Sequence, residues 1–405
     1  MERRVPAGQN RCFTPGRLEA GAPTGKTMTE TIANKPASDK APPRVDLILL
    51  CSVGLVAVLS LVYVTSATQT MQGGGASYGL KQTAYVALGI LLFAALQKVH
   101  YMTILRFAPQ LYIGAIALLL GVFLTRPIKG AHCWYDLYFF KFEPSEIAKP
   151  ILIVTLAYYL MYRESYKTIK GLVAPFLLAM IPLALILKQP YLGGAMSFAP
   201  VIFVMLFAAG ARLRHLALTC FAGVCGMVLM WIFVMHPYQK NRILAWLYPE
   251  QYQLGEAWQQ LLSQTAIGSG GFWGKGWGLS SQNNLHLLPE KHTDFIFAVV
   301  SEEGGFVTAA LLLLLVFVAA LSGLGIAART REPAGRLIAV GCVTIFCSQV
   351  LINTCVTLGL LPTTGLTLPF VSYGGSSMIG SFILLALLVN IGSKREVVLA
   401  KEDFA

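Results

Sequence analysis

Charge is scarce in this chain. Asp, Glu, Lys and Arg make up 12% of its 405 residues, where a soluble domain carries about 25%, and that deficit excludes an ordinary water-soluble globule. Paired cysteines are lacking too. Of the eight cysteines, Cys51, Cys220, Cys225, Cys342, Cys347 and Cys355 fall in apolar runs and read as small buried residues. Cys12 lies near the N-terminus, and Cys133 is expected on the outer side. The sequence contains no CxxC or His/Cys cluster, so neither a zinc site nor a disulfide scaffold is expected. Residues 1–45 have no apolar run, which excludes a signal peptide there. Rich in Pro, Gly, Thr and basic residues, they cannot bury enough surface to offset their ordering entropy. They are expected to form a disordered cytoplasmic tail, with Met28 as a candidate start.

Hydrophobic residues, at 56%, are what the chain has instead. Apolar runs of about 18 residues or more recur, which marks an all-α polytopic membrane protein. A membrane β-barrel would show short alternating segments. Ten spans are expected, at 46–66, 80–97, 104–125, 146–162, 171–187, 191–209, 216–235, 294–327, 337–358 and 374–392. The eighth is longer than a bilayer needs and should tilt or project. Lys and Arg concentrate in alternate loops, and the loops at 67–79 and 359–373 have none. By the positive-inside rule both termini are cytoplasmic, so the membrane domain runs over 46–392 and a short cytoplasmic tail over 393–405. The segments 126–145, 236–293 and 359–373 then face outward. The net charge of +12 is explained by the tail and inner loops, which face anionic lipid. It implies no nucleic-acid partner.

Three outward constellations could carry chemistry. In "LPEKHTDFIFAVVSEEGG", Thr293 can cap a helix that Asp294 begins, and a carboxylate in the first turn suits the helix dipole. Against that structural role stands a general base at the outer mouth, near Lys291 and His292. Glu302 and Glu303 follow about 12–14 Å further along such a helix. Being adjacent, they point about 100° apart, so they cannot both line one groove. Ionisable groups at that depth suggest a function by default, with helix packing as the alternative. In "FKFEPSEIAK", Glu146 and Lys149 stand at i, i+3, either as an intrahelical ion pair or, with Lys141 just before them, as a site for an anionic headgroup. In "LGLLPTTGLTLPFVSYGGSS", Pro362, Gly365, Pro369, Gly374 and Gly375 surround Ser372 and Tyr373. Backbone this irregular at membrane depth must be buried in protein or line a cavity. The glycine-dense "GSGGFWGKGWG" is not a Walker A loop, because Ser269 stands where the first glycine belongs and Gly276 follows Lys275. Its glycines suit close approach to a headgroup or to the helices beneath.

Together "IGSGGFWGKGW", "LPEKHTDFIFAVVSEEGG", "FEPSEIAK" and "LPTTGLTLPFVSYGGSS" resemble the SEDS family of bacterial shape, elongation, division and sporulation proteins. The likeness covers nearly the whole chain from about residue 46, and "GSGG…GKGW" looks closer to the RodA branch than to the FtsW branch. The resemblance implies a peptidoglycan glycosyltransferase that polymerises lipid II on the outer face of the bacterial cytoplasmic membrane, by hexosyl transfer of the inverting type. It also implies a class B penicillin-binding protein as partner, alongside other elongation or division proteins and membrane lipids. The family's essential aspartate matches Asp294. Its Glu and Lys in "PSExxK" match Glu146 and Lys149, a preceding basic residue matches Lys141, and its Glu pair matches Glu302 and Glu303.

The chain departs from the family's pattern at three places. Cys133 stands where an Arg is usual, Tyr191 replaces an acid in "KxPDLG", and Glu143 replaces a common Gln. On this reading Asp294 is the general base toward a sugar hydroxyl. Lys149, Lys141 and Arg242 would neutralise the polyprenyl diphosphate of the donor glycan, with Mg2+ or Mn2+ as a candidate ion and no organic cofactor. Glu146, His292, Ser372 and Tyr373 are further candidate substrate contacts. Glu302, Glu303, Pro369, Gly374 and Gly375 are expected to shape the cavity. Two other classes compete: a transporter that flips lipid-linked precursors, and a scaffold that recruits a penicillin-binding protein. A flippase should distribute polar groups through its depth, whereas here they concentrate outward.

Overall fold

The computed structural model describes residues 46–69, 74–126, 132–137, 141–161, 168–189, 191–233, 235, 237–252, 255, 257–280 and 290–394. The expected tails at 1–45 and from 395 onward lie outside the described residues, as does 281–289 within the long outer segment. Thirteen helices are described. They are α1 (Leu47–Ala67), α2 (Gly74–Lys98), α3 (Tyr101–Arg106), α4 (Ala108–Gly121), α5 (Pro144–Leu160), α6 (Ile169–Lys188), α7 (Leu192–Ala209), α8 (Leu213–Phe233), α9 (Pro237–Leu247), α10 (Trp258–Ser269), α11 (Ile296–Arg329), α12 (Pro333–Thr357) and α13 (Gly375–Ser393). One antiparallel pair, β1 (Tyr135–Asp136) and β2 (Lys141–Phe142), sets Asp136 opposite Lys141.

Among the described residues, eight helices are long and apolar enough to cross a membrane: α1, α2, α6, α7, α8, α11, α12 and α13. The other two expected spans fall on the α3–α4 pair and on α5. With 17 residues, α5 is only about 25 Å long. Apolar side chains such as Leu91, Ile113, Phe221, Phe233 and Phe317 are exposed. A surface that apolar needs lipid around it, and the chain is a multi-pass membrane protein.

Packing grades from centre to edge. Of the most apolar stretch of α13, 89% is buried, against 6% for α8. α13 packs against α2, α5 and α12, while α12 also packs against α5, α7 and α11. Pro144 and Pro333 open α5 and α12 at their first positions, where a missing N–H costs nothing.

The eighth span departs from expectation. It is not one tilted helix but two helices joined at Gly305, whose φ of 67° and ψ of −171° lie in a region open essentially to glycine alone. Residues 306–329 are about 36 Å long, enough to cross a bilayer of about 30 Å by themselves. The first piece, 296–304, is thereby released to build the site.

Candidate active site

Asp294 does not begin a helix. Glu290 has a φ of 50°, and its carbonyl accepts the backbone N–H groups of Thr293, Asp294 and Phe295 at 3.2, 3.1 and 3.4 Å. This tight turn precedes α11, whose N-cap is Phe295 without a side-chain cap bond. Thr293, expected as the cap, gives its hydroxyl to the Glu290 carbonyl at 3.1 Å instead.

The turn is gripped from outside by the irregular segment before α13. Ser372 Oγ donates to the Thr293 carbonyl at 2.6 Å and accepts from Leu368 N at 2.8 Å. Tyr373 N donates to the His292 carbonyl at 2.9 Å. The His292 ring packs against Tyr78 and Tyr373, with centroids 5.7 and 5.4 Å away. Thus Ser372, Tyr373 and His292 all meet at the turn that presents Asp294, with Ser372 and Tyr373 holding its backbone. Gly374, with a φ of 156°, precedes α13, and Gly375 gives the Tyr85 ring room that a Cβ would crowd at 3.1 Å.

Sequence reasoning passed over Asn353, although an amide inside an apolar span is itself a signal. From α12, its Nδ2 donates to the carbonyls of Asp294 at 2.8 Å and Leu366 at 2.7 Å. Gln260 was passed over as well; its amide bridges the carbonyls of Val356 and Leu361 at 2.9 and 2.7 Å. With Trp246 Nε1 on the Gly359 carbonyl at 3.0 Å, helices α9 and α10 supply donors to the end of α12 and the irregular chain beyond it. That satisfaction lets non-helical backbone persist at this depth.

A polar cavity results. Asp294 and Arg242 line it together with Gln259, Asn353 and the backbone run Thr363–Leu366. Its volume is about 40 Å3, room for a few water-sized groups and not for a sugar ring. Gly365, at a φ of 70°, passes so near that a Cβ there would stand 3.5 Å from Asp294 Oδ2. Pro369 does not reach this cavity. It lines an apolar one with Phe370, Val53 and Phe346 among α1, α11, α12 and α13.

Glu146 and Lys149 form an ion pair at 2.6 Å with side chains 5% and 1% exposed. Glu143 stands beside them and accepts from Ser145 Oγ at 2.6 Å and Trp134 Nε1 at 3.2 Å. Burial, helped by the Glu146 charge, pushes the Glu143 carboxyl up to about 7. Tyr191 completes the group. Its phenol lies within electrostatic reach of Glu143, Glu146 and Asp294. Lys141 is exposed on β2, with its carbonyl taken by Ser376 Oγ at 3.0 Å.

Two of the departures from the family's pattern meet in space. Cys133 is buried, donates to the Gln189 carbonyl at 3.2 Å and lies within electrostatic reach of Tyr191. If, as the resemblance implies, an Arg and an acid stand at these two places in the family, their joint loss removes a cation and an anion at once and strands no buried charge.

The raised carboxyl of Glu143 has a consequence for stability. In the folded chain it keeps its proton up to about 7, whereas its ordinary value is 4.5. Between those values the folded state holds the extra proton, so stability falls as pH rises through that window and levels off above it. Glu143→Gln should flatten that slope in thermal unfolding scans taken from pH 5 to 8. An unchanged slope in the variant would remove Glu143 as its source.

Glu302 and Glu303 diverge, as adjacent helical residues must. Glu302 accepts from Lys275 Nζ at 2.7 Å and from the hydroxyl of Ser280, while Glu303 accepts from Ser66 Oγ at 2.6 Å. Lys291, buried in the entry turn, has its amine pushed down to about 8 by burial, with the Glu303 charge opposing. The glycine-dense loop explains the broken helix. Lys275 N and Gly276 N donate to the carbonyls of Glu302 and Glu303 at 3.0 Å each, and Phe306 N donates to the Gly271 carbonyl at 3.0 Å. A Cβ at Gly274 would stand 2.2 Å from the Glu303 carbonyl oxygen, so the loop replaces the helical bonds lost at Gly305. Its glycines serve the helix beneath. Among the described residues no group of three or more His, Cys, Asp or Glu side chains is placed to hold a metal ion.

Comparison with known proteins agrees with this architecture. The FtsW/RodA/SpoVE family model, described as cell cycle protein, matches residues 44–397. The peptidoglycan glycosyltransferase MrdB of Escherichia coli is 34% identical over 85% of this chain and 94% of its own length. A probable peptidoglycan glycosyltransferase FtsW of Trichlorobacter lovleyi is 36% identical over 86% and 93%. Both branches are thus represented at similar identity. Among solved structures, a chain from a peptidoglycan synthase complex that coordinates polymerization and crosslinking is 31% identical with a TM-score of 0.77, covering 87% of this chain and 99% of that one. Thermus thermophilus RodA is 29% identical with a TM-score of 0.64, covering 86% and 97%. The chain belongs to the FtsW/RodA/SpoVE family of cell cycle proteins, a polytopic membrane family whose curated relatives are peptidoglycan glycosyltransferases.

Proposed function

We propose that the chain works as its relatives are named, as a peptidoglycan glycosyltransferase that extends glycan strands from lipid II on the outer side of the bacterial cytoplasmic membrane. The observation that carries this reading is the cavity in which a carboxylate, Asp294, and a guanidinium, Arg242, face one small polar space. Asp294 would take the proton of the acceptor sugar hydroxyl as that oxygen attacks the donor's anomeric carbon. The bond from that carbon to the polyprenyl diphosphate breaks, and Arg242 with exposed Lys141 would stabilise the departing charge. Lys149, locked to Glu146 and buried, would act by shaping the wall beneath. Mg2+ or Mn2+ would arrive with the diphosphate, since Mg2+ binds through one or two carboxylates plus phosphates.

Both termini are assigned to the cytoplasm by the distribution of Lys and Arg. A class B penicillin-binding protein is the proposed partner, by analogy with the synthase-complex relative. Purified protein given lipid II, with and without that partner, should yield glycan polymer. Lipid scrambling in liposomes without polymer would support the flippase reading and overturn this one.

A further inference from the structure

Two residues that line the Asp294 cavity each carry a buried polar atom left unpaired among the described residues. Asn353 Oδ1 and Thr364 Oγ1 have no hydrogen-bond partner, although both residues are 1% exposed. Both residues line the cavity with Asp294. Folds rarely retain buried polar atoms without partners unless a ligand or a water supplies them.

The amide orientation is fixed by its surroundings. One end of Asn353 lies between two carbonyl oxygens, of Asp294 and Leu366, which can only accept. Nitrogen must therefore face them, and Oδ1 is left as an acceptor. Thr364 is held just as firmly. Gly193 N, at the start of α7, donates to the Thr364 carbonyl at 3.1 Å, and a Cβ at Gly193 would stand 2.5 Å from that oxygen. Both atoms are thus presented by fixed backbone, as a pre-organised subsite requires.

Their chemistry selects the occupant. An acceptor (Asn353 Oδ1) and a hydroxyl that can donate or accept (Thr364 Oγ1) are complemented by a group that does both. A diphosphate oxygen only accepts, so it cannot satisfy Asn353 Oδ1, although Arg242 on the same cavity can meet one. An apolar group would leave both atoms unsatisfied. At about 40 Å3 the space admits a hydroxyl or hydroxymethyl group at the edge of a ring. We propose that Asn353 and Thr364 form a hydroxyl-binding subsite for the acceptor sugar, orienting it so that its nucleophilic oxygen lies against Asp294. This rests on the glycosyltransferase reading and adds the residues that position the acceptor.

Thr364→Val gives a clean test, because it removes a hydroxyl that no described residue uses and keeps the shape. In lipid II polymerisation by the full-length protein with its penicillin-binding partner, kcat/KM should fall about tenfold, near what one hydrogen bond is worth. Thr364→Ser should retain most of the rate, and the thermal midpoint of the Val variant should hold or rise. Wild-type kinetics in Thr364→Val, with Asp294→Asn inactive, would overturn the subsite and leave the glycosyltransferase reading standing. A lowered midpoint with unchanged kinetics would assign the hydroxyl to a structural water and overturn it as well. If the wild type makes no polymer under any condition, the failure lies with the underlying function.

Discussion

Asp294→Asn is expected to lower lipid II polymerisation by a factor of about 10² to 10⁴, the range that a positioned general base contributes. The substitution keeps the side chain's shape and removes its capacity to hold a proton at the reacting oxygen. It should fold normally. The backbone of residue 294 is held by its N–H to Glu290 and its carbonyl to Asn353, two bonds that the substitution leaves in place. The thermal midpoint in detergent should therefore stay close to that of the wild type, and association with the penicillin-binding partner should persist. Polymer yield in the variant equal to wild type would reject Asp294 as the base. Loss of polymer accompanied by loss of folding would show instead that the carboxylate is structural.

The sequence made the membrane architecture legible because long apolar runs answer to one strong force, the exclusion of unpaired backbone from lipid. The expected ends of α1, α7 and α13 lie within about two residues of the helices found, as boundary reasoning allows. The Glu146–Lys149 ion pair was legible as well, through its i, i+3 spacing. The break at Gly305 was not. A glycine in an apolar run reads as an ordinary helical residue, and only the loop at 270–276, which supplies the missing bonds from outside, reveals why that glycine must adopt a left-handed φ. The bonds of Ser372 were hidden for a related reason. Its hydroxyl looked available for substrate, yet it joins Leu368 and Thr293, partners that no local pattern predicts. Asn353 escaped notice because its two acceptors come from segments 59 and 13 residues away.

Lys149→Met tests whether the buried pair serves stability, chemistry or both. The change should destabilise the protein by about 3–5 kcal/mol, because it leaves the Glu146 carboxylate buried without its counter-ion. Three further features of this site sharpen the penalty. Glu146 is 4% exposed, Asp294 brings negative charge to the same neighbourhood while the largely protonated Glu143 offers no cation in exchange, and a Cβ at Gly380 would stand only 3.1 Å from the Glu146 carbonyl oxygen. Replacing both members, as Glu146→Leu with Lys149→Met, removes the stranded charge. Stability should then recover most of the loss, since a buried pair seldom outperforms apolar groups of similar volume. Polymerisation should not recover with it, because the wall beside Tyr191 would have lost its only positive charge within the Glu143–Glu146–Lys149 group. A double variant that polymerises at the wild-type rate would make the pair a packing element and remove it from the proposed machinery. Thermal unfolding and polymer yield, measured on the same purified preparations, separate the two outcomes.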